Sequence, residues 1–437
     1  VTYQETLDFL YPLHRFGIKP GLERVRELLQ MVGSPEHRLG TAVHVAGTNG
    51  KGTVASLLAS MFRAAGLKTA LYTSPHLVDF TERMRIDGLP IPQERVAYYA
   101  SLLKEAVSEK NATFFEATTA IAFAWFADEG VDVSVIETGM GGRLDATNVV
   151  RSSYAVITGI GLDHTDWLGT TIGAIAGEKA AIIKPGSRVF SSASGEESLA
   201  PIRRAAEECD APLHLVGKEC GVKVVESAIG RLVVDLQIGS KSFSRLEAPL
   251  TGAFHSSSLA LAVMVAVDAG ISEAAVRSGL LGLHATGYRG RLELIASTPS
   301  VLLDVSHNAY GVKATVDALL PFIARYDRVS VLLGLASDKN ARAIIRELLR
   351  LECRFVVVDI PSERSVPAEE LQEICCQEGG EGAVAVAHSV GEGMRRLLRE
   401  SSPLSLVLVT GSFYLAGALL DYVKTTVRAE DGEGDQL

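Results

Sequence analysis

From residue 41 onward, short β-branched runs alternate with longer stretches in which apolar residues recur every three or four positions. The runs 42–46, 69–73, 131–137, 154–159 and 188–192 read as strands, and 52–65 and 118–128 as helices between them. Such alternation predicts a mostly parallel sheet with helices on both faces. Segments 222–226 and 231–238 break the rhythm. They flank Ala228-Ile229-Gly230 and read as an antiparallel hairpin, a small side sheet. Helical patterns follow at 258–269 and 273–281. The stretch 284–299, with Gly287, Gly290 and Pro299, reads as loop. Beyond it the α/β rhythm restarts, with strands expected at 301–305, 329–333, 355–360, 383–387 and 406–410. No G-x-G-x-x-G follows the first of these, so dinucleotide binding is not indicated. The expected organisation is a first domain over 1–286, a linker over 287–298 and a smaller Rossmann-like α/β domain over 299–437, with a polar, frayed tail from 428.

Composition narrows the picture. The chain has 437 residues, too many for one ordinary domain. Hydrophobic residues make up 47% and charged residues 22%, enough to bury a sizeable core. No apolar run reaches membrane-spanning length, so a cytoplasmic chain without a membrane partner is expected. A formal net charge of -10 argues against a nucleic-acid surface. Any site for a triphosphate must then build its positive potential locally. The cysteines (Cys209, Cys220, Cys353, Cys375, Cys376) show no C-x-x-C spacing and read as reduced thiols.

The strongest chemical signal is Val43-His44-Val45-Ala46-Gly47-Thr48-Asn49-Gly50-Lys51-Gly52-Thr53. A buried strand ends at Ala46. Three glycines permit backbone angles and close approaches that side chains would block. The next helix carries its apolar residues on one face (Val54, Leu57, Leu58, Met61, Phe62, Ala65), and Gly66 closes it. Its N-terminus would aim unpaired N–H groups at an anion held by the loop. Lys51 would reach the outer phosphates, and Thr53 would cap the helix or face a magnesium ion. The spelling is irregular, because Gly52 separates Lys51 from Thr53. The first half therefore reads as a P-loop ATPase-type domain.

Glu137 ends a strand before Gly139-Met140-Gly141-Gly142-Arg143, where ligands bind in such sheets. It is the best magnesium candidate, since hard cations want oxygen; the alternative is a carboxylate paired with Arg143. His164 follows another strand of the same sheet. Lys179 sits on an amphipathic helical pattern and, by itself, reads as a solvated lysine.

Taken together, these residues resemble the folylpolyglutamate synthase and dihydrofolate synthase family, relatives of the Mur ligases. The resemblance spans nearly the whole chain. It runs through Gly21-Leu22-Glu23-Arg24-Val25, the phosphate loop, Thr73-Ser74-Pro75-His76-Leu77, Phe115-Glu116, Gly141-Gly142-Arg143-Leu144-Asp145-Ala146-Thr147-Asn148 and Leu162-Asp163-His164-Thr165-Asp166-Trp167-Leu168-Gly169. Glu178-Lys179-Ala180, Asp304-Val305-Ser306-His307-Asn308 and Ser337-Asp338-Lys339 complete it. It implies a monomeric ligase that joins L-glutamate to dihydropteroate or a reduced folate, with ATP forming an acyl phosphate first. It implies ATP contacts at Thr48, Asn49, Gly50, Lys51, Gly52, Thr53, Ser258, Arg291 and Asp304. It implies magnesium at Ser74, Glu137 and His164, with a second ion through a carbamylated Lys179. The implied catalytic set is Lys51, Lys179 and His307. Substrate contacts would fall on Gly17, Ile18, Lys19, Thr113, Phe114, Phe115, Glu116, Leu144, Asp145 and Ala146. The chain departs from the family pattern where Gly252-Ala253-Phe254-His255-Ser256-Ser257-Ser258 replaces G-x-H-Q-x-x-N, where Arg289-Gly290-Arg291 replaces Pro-Gly-Arg, and where Ser306 replaces alanine.

Overall fold

The computed structural model describes residues 1–17, 19–379 and 384–432. Its first sheet has eight strands: β1 (Thr41–Ala46), β2 (Thr69–Tyr72), β3 (Met84–Ile86), β4 (Leu89–Pro90), β5 (Val133–Glu137), β6 (Tyr154–Ile157), β7 (Arg188–Ser191) and β8 (Leu213–Leu215). Their order is β4-β3-β2-β5-β1-β6-β7-β8, parallel except at β3 and β4. From β1 the chain runs through the helix Lys51–Ala64 to β2 on one side of the sheet, whereas β5 connects across β1 to β6 on the other. That reversal opens a crevice at the C-terminal ends of β5, β1 and β6, where ligands bind in open α/β sheets.

Packing follows strand alternation. Val43 and Val45 face Val54, Leu57, Leu58 and Met61 of the helix Lys51–Ala64, in one core with the helix His255–Asp268. The opposite side is covered by the helix Phe114–Asp128, whose residues from Ala117 to Ala127 are all buried. A helix apolar all round has no solvent face to offer.

The side sheet holds β9 (Cys220–Ala228), β10 (Arg231–Ile238) and β11 (Lys241–Ala248), all antiparallel. The third strand, reached through Gly239-Ser240, goes beyond the expected hairpin. Leu232, Val234 and Leu236 of β10 and Phe243 and Leu246 of β11 join the core of the phosphate-loop helix. The last sheet runs β12 (Glu293–Ser297), β13 (Ser300–Leu303), β17 (Ser405–Thr410), β14 (Arg328–Leu333), β15 (Arg354–Val358) and β16 (Val384–Ala387), parallel apart from β12.

Three local expectations need correction. The stretch 284–299 is not all loop: β12 lies in it, pairing with β13 as an edge strand. Its glycines and Pro299 sit around that strand, and their turn signal outweighs its weak alternation. The helix expected from 118 begins at Phe114, because Thr113 and Glu116 form a capping box. The last helix, Phe413–Gly432, enters the stretch expected to fray, and residues 433–437 lie outside those described, as does residue 383 of the expected strand. Among the described residues no helix is long and apolar enough to cross a membrane.

The two α/β halves meet through the loop after β2. Leu77 and Val78 pack against the apolar cluster of the last sheet. A Cβ at Gly417, in the final helix, would stand 2.1 Å from the Leu77 carbonyl oxygen.

Candidate active site

The phosphate loop is pinned to the end of β6. Gly47 has φ +152°, and a Cβ there would lie 1.7 Å from Thr158 Oγ1. Gly50, at φ +87°, precedes the helix with no side-chain cap, so the first-turn N–H groups are left for a ligand. Thr158 donates to the Asn49 carbonyl at 2.7 Å. Thr48 is used within the loop: its N–H donates to the Gly159 carbonyl at 2.9 Å, and its hydroxyl donates to the Gly161 carbonyl and accepts from the Gly161 N–H, both at 3.0 Å. Thr48 thus ties the loop to the end of β6.

Two lysines converge on one carbonyl. Lys51 Nζ donates to the Gly47 and Thr48 oxygens at 3.1 and 3.2 Å, and Lys179 Nζ donates to the Gly47 oxygen at 2.8 Å. The reading of Lys179 as solvated is corrected: it is 4% exposed. Gly142 packs so closely on its helix that a Cβ would meet the Glu178 carbonyl oxygen at 2.6 Å. Burial, with the Lys51 charge nearby, lowers the Lys179 ammonium to about 7. Thr53 does not cap the helix, which has no side-chain cap. It is buried, and its hydroxyl meets Tyr288 OH at 3.1 Å.

Glu137 stands between this loop and a neighbouring cleft. Its Oε2 accepts from the Ser74 N–H at 3.1 Å, and both its oxygens lie 3.7 Å from where a Gly52 Cβ would be. Burial raises its pKa, against the pull of Lys51, the Ser74 N–H and Arg291. Arg143 is not its partner; that guanidinium pairs with Glu178 at 2.9 Å. A carboxylate whose Oε1 takes no hydrogen bond from the described residues, beside a phosphate loop, fits a magnesium ion that draws its other ligands from phosphates and water. No group of three His, Cys, Asp or Glu side chains placed to hold a metal exists among the described residues. His164 is half exposed and lies 3.8 Å from Asp163. Lys179, as an ammonium, is a donor and not a ligand.

On the far side of Ser74 a cleft of about 430 Å³ opens. Gly17, Lys19, Thr113, Phe114, Phe115, Glu116, Leu144, Asp145 and Ala146 all line it; Ile18 lies outside the described residues. The helix Phe114–Asp128 delivers the aromatic wall, and Gly139 lets the tip of the Phe115 ring come up against the loop, since a Cβ there would meet its Cζ at 2.6 Å. Of the three carboxylates that line the cleft, Glu178 pairs with Arg143, and the other two are occupied as well. Glu116 accepts from the Thr113 N–H at 2.7 Å and pairs with Arg24 at 3.0 Å. Asp145 accepts from the Met140 N–H at 2.9 Å and the Thr147 N–H at 3.0 Å, and burial raises its pKa. They shape the wall through their neighbours. Sequence reasoning missed His14, Arg83, Met140 and Trp167 as lining residues. Arg83 is 6% exposed and donates to His76 Nδ1 at 2.8 Å; nothing local marks it.

The last sheet presents its own strand ends. Arg291 lies over the Phe413 ring at 5.4 Å, and the His307 ring is 5.4 Å from the same ring. His307 Nδ1 meets the Val305 carbonyl at 3.0 Å. A carbonyl only accepts, so Nδ1 carries the proton and Nε2 is a free acceptor. Burial lowers the pKa of this ring. Asp304 is turned inward, accepting from the Leu292 N–H, the Ser306 N–H and the Thr315 hydroxyl at 2.9–3.0 Å. It latches the chain entering β12, where the resemblance implies a nucleotide contact. Ser258 sits beside the phosphate loop: a Cβ on Gly50 would lie 3.0 Å from its Oγ.

A phosphate loop facing an aromatic cleft across a carboxylate defines a nucleotide-using ligase of the Mur type. The Mur ligase middle domain matches residues 45–266, and the Mur ligase glutamate ligase domain matches 290–413. A dihydrofolate synthase/folylpolyglutamate synthase of Bacillus subtilis is 33% identical, over 94% of this chain and 97% of the relative. Two solved structures are also similar. One is Mycobacterium tuberculosis folylpolyglutamate synthase complexed with ADP and AMPPCP (31% identity, TM-score 0.86, covering 96% of this chain and 98% of that one). The other is E. coli FolC in complex with DHPP and ADP (29% identity, TM-score 0.87, covering 98% of each). The chain belongs to the dihydrofolate synthase/folylpolyglutamate synthase family.

Proposed function

We propose that this enzyme is an ATP-dependent acid–amino-acid ligase that adds L-glutamate to dihydropteroate and to reduced folates. The carrying observation is Glu137, one carboxylate that touches the wall of the aromatic cleft at Ser74 and the first turn of the phosphate-loop helix. An acid in the cleft and a triphosphate on the loop would meet there.

The reaction then divides in two. An oxygen of the substrate carboxylate attacks the γ-phosphorus, ADP leaves, and an acyl phosphate forms. Lys51, in this reading, exchanges its loop carbonyls for phosphate oxygens and offsets the charge that develops. Bound magnesium would polarise those oxygens, held from the protein side by Glu137 and Ser74. The amine nitrogen of glutamate next attacks the acyl carbon, and the C–O bond to phosphate breaks. The proton lost from nitrogen has an acceptor in His307 Nε2, whose lone pair the Val305 contact sets. A two-ion arrangement with carbamylated Lys179 draws support from burial: the neutral amine required for carbamate formation is what its surroundings favour. The flat, aromatic cleft suits a heteroaromatic substrate. Boundaries at 1–286, 287–298 and 299–437 are part of this reading; β12, which falls within the linker bounds, pairs into the last sheet. So are a monomer and a place in the cytoplasm.

ADP release is the test. Purified enzyme with ATP and glutamate should release ADP with dihydropteroate and with a reduced folate. Release with the folate alone selects a folylpolyglutamate synthase. Release with neither removes the ligase assignment.

A further inference from the structure

We propose that His44, buried in the middle of β1, is a positioning residue for the pteroate cleft, acting through Thr147 on Asp145. This rests on the cleft being the pteroate site.

The case begins with the strand. Val43 and Val45 fill the core on one face of β1, so His44 points to the other. It is 0% exposed, with Ile136 and Ala155 beside it on the neighbouring strands. Packing alone would be served there by a β-branched residue. Among the described residues the imidazole makes one hydrogen bond, Nε2 to Thr147 Oγ1 at 2.8 Å, and its Nδ1 is buried without a partner. A lone pair left bare in the core opposes folding, so the single bond on the other nitrogen is what the ring offers in return.

Donor counting fixes the direction of that bond. Asp145 accepts from the Met140 N–H, the Thr147 N–H and the Thr147 hydroxyl. Thr147 has one hydroxyl proton, and Asp145 takes it. The remaining lone pair on Thr147 Oγ1 must therefore accept, so His44 donates through Nε2–H. Burial lowers the imidazole to about 3, which keeps Nδ1 bare and the tautomer single at neutral pH. The chain reads His44 Nε2–H to Thr147 Oγ1–H to Asp145 Oδ1. Asp145 in turn holds the Met140 N–H, in the loop that the tip of the Phe115 ring comes up against. A strand-centre histidine thus sets the height of the cleft floor without touching the cleft.

The test combines kinetics and nitrogen NMR. Thr147→Val and His44→Phe should each raise KM for dihydropteroate about tenfold, with kcat within about twofold and KM for ATP unchanged. Thr147→Ser, which keeps the hydroxyl, should behave as wild type. The double variant should be no worse than either single one, as expected for one chain of bonds. An unchanged KM in Thr147→Val, or equal damage in Thr147→Ser and Thr147→Val, overturns the proposal. Thr147→Val is near-isosteric and keeps the test open if His44→Phe fails to fold. The NMR arm needs no substrate: imidazole nitrogen shifts should report the Nε2–H tautomer from about pH 5 to 8. An Nδ1–H or doubly protonated ring overturns the relay even in an enzyme that turns over pteroate. A wild type with the right tautomer but no ADP release removes the function and leaves the bond chain standing.

Discussion

The phosphate loop and the aromatic cleft lie on opposite sides of Glu137 and are built in opposite ways. The loop is one run of residues, 47–53, whose path is dictated by its own glycines and by contacts to Thr158, Gly159 and Gly161 at one strand end. The cleft is gathered from six places: the 13–20 segment, the loop after β2, the start of the helix Phe114–Asp128, the Gly139–Ala146 turn, the 167–168 stretch and Glu178. A contiguous element can be recognised from local chemistry. An assembled one shows itself only when the segments are brought together. Damage to the loop should therefore strike turnover, and damage to the cleft should strike the affinity for one substrate.

The largest expected effect tests the first half of that statement. Lys51→Ala should lower kcat by about a thousandfold or more, roughly 4 kcal/mol of transition-state stabilisation. KM for dihydropteroate and the melting temperature should stay where they are. A parallel rise in that KM would merge the two regions into one functional unit.

Lys179 gives the next effect, in stability. Its folded pKa, about 7, lies below the ordinary lysine value of 10.5, so the unfolded chain binds more protons between those values. Stability should rise with pH across that window and lose this contribution as pH falls through 7. Comparing wild type with Lys179→Met by urea unfolding should show a difference changing by a few kcal/mol from pH 6 to 10, on the order set by the shift. A flat difference would mean the ammonium is hydrated.

On the cleft side, Gly139→Ala forces a methyl into the Phe115 ring. KM for dihydropteroate should rise about tenfold, or about 1.4 kcal/mol, with KM for ATP constant. Changes in both would break the contrast. The smallest effect is expected at Arg143→Ala. The pair with Glu178 is more than half exposed on the arginine side, worth about 0.5 kcal/mol at most in unfolding experiments, and activity should hold within about threefold.

The same contrast explains what the sequence disclosed. The β1–loop–helix unit is visible because its periodicity and glycines are local, and the parallel sheets follow from repeated strand-helix alternation. The start of the helix Phe114–Asp128 was also legible: Thr113-Phe114-Phe115-Glu116 has the capping-box spacing, yet the apolar pattern drew attention to 118. Lys179 could not be read correctly from its helix, because its ammonium is held by the Gly47 carbonyl, 132 positions earlier. Thr53 faces Tyr288 across 235 positions for the same reason. β12 was hidden by the turn residues around it. The cleft residues came forward only through family resemblance, since no spacing joins Lys19 to Phe115 or Leu144. Arg83, a guanidinium buried beside them, carried no signal at all.

The contact between Gly417 and the Leu77 carbonyl limits how this protein can be taken apart and recombined. Any side chain at 417 meets the backbone of a loop whose other end carries Ser74 and Pro75 into the cleft. The two halves are consequently not interchangeable modules. A chimera carrying another protein's C-terminal half must supply glycine at that position, or the graft will be rejected at the substrate wall as well as at the seam.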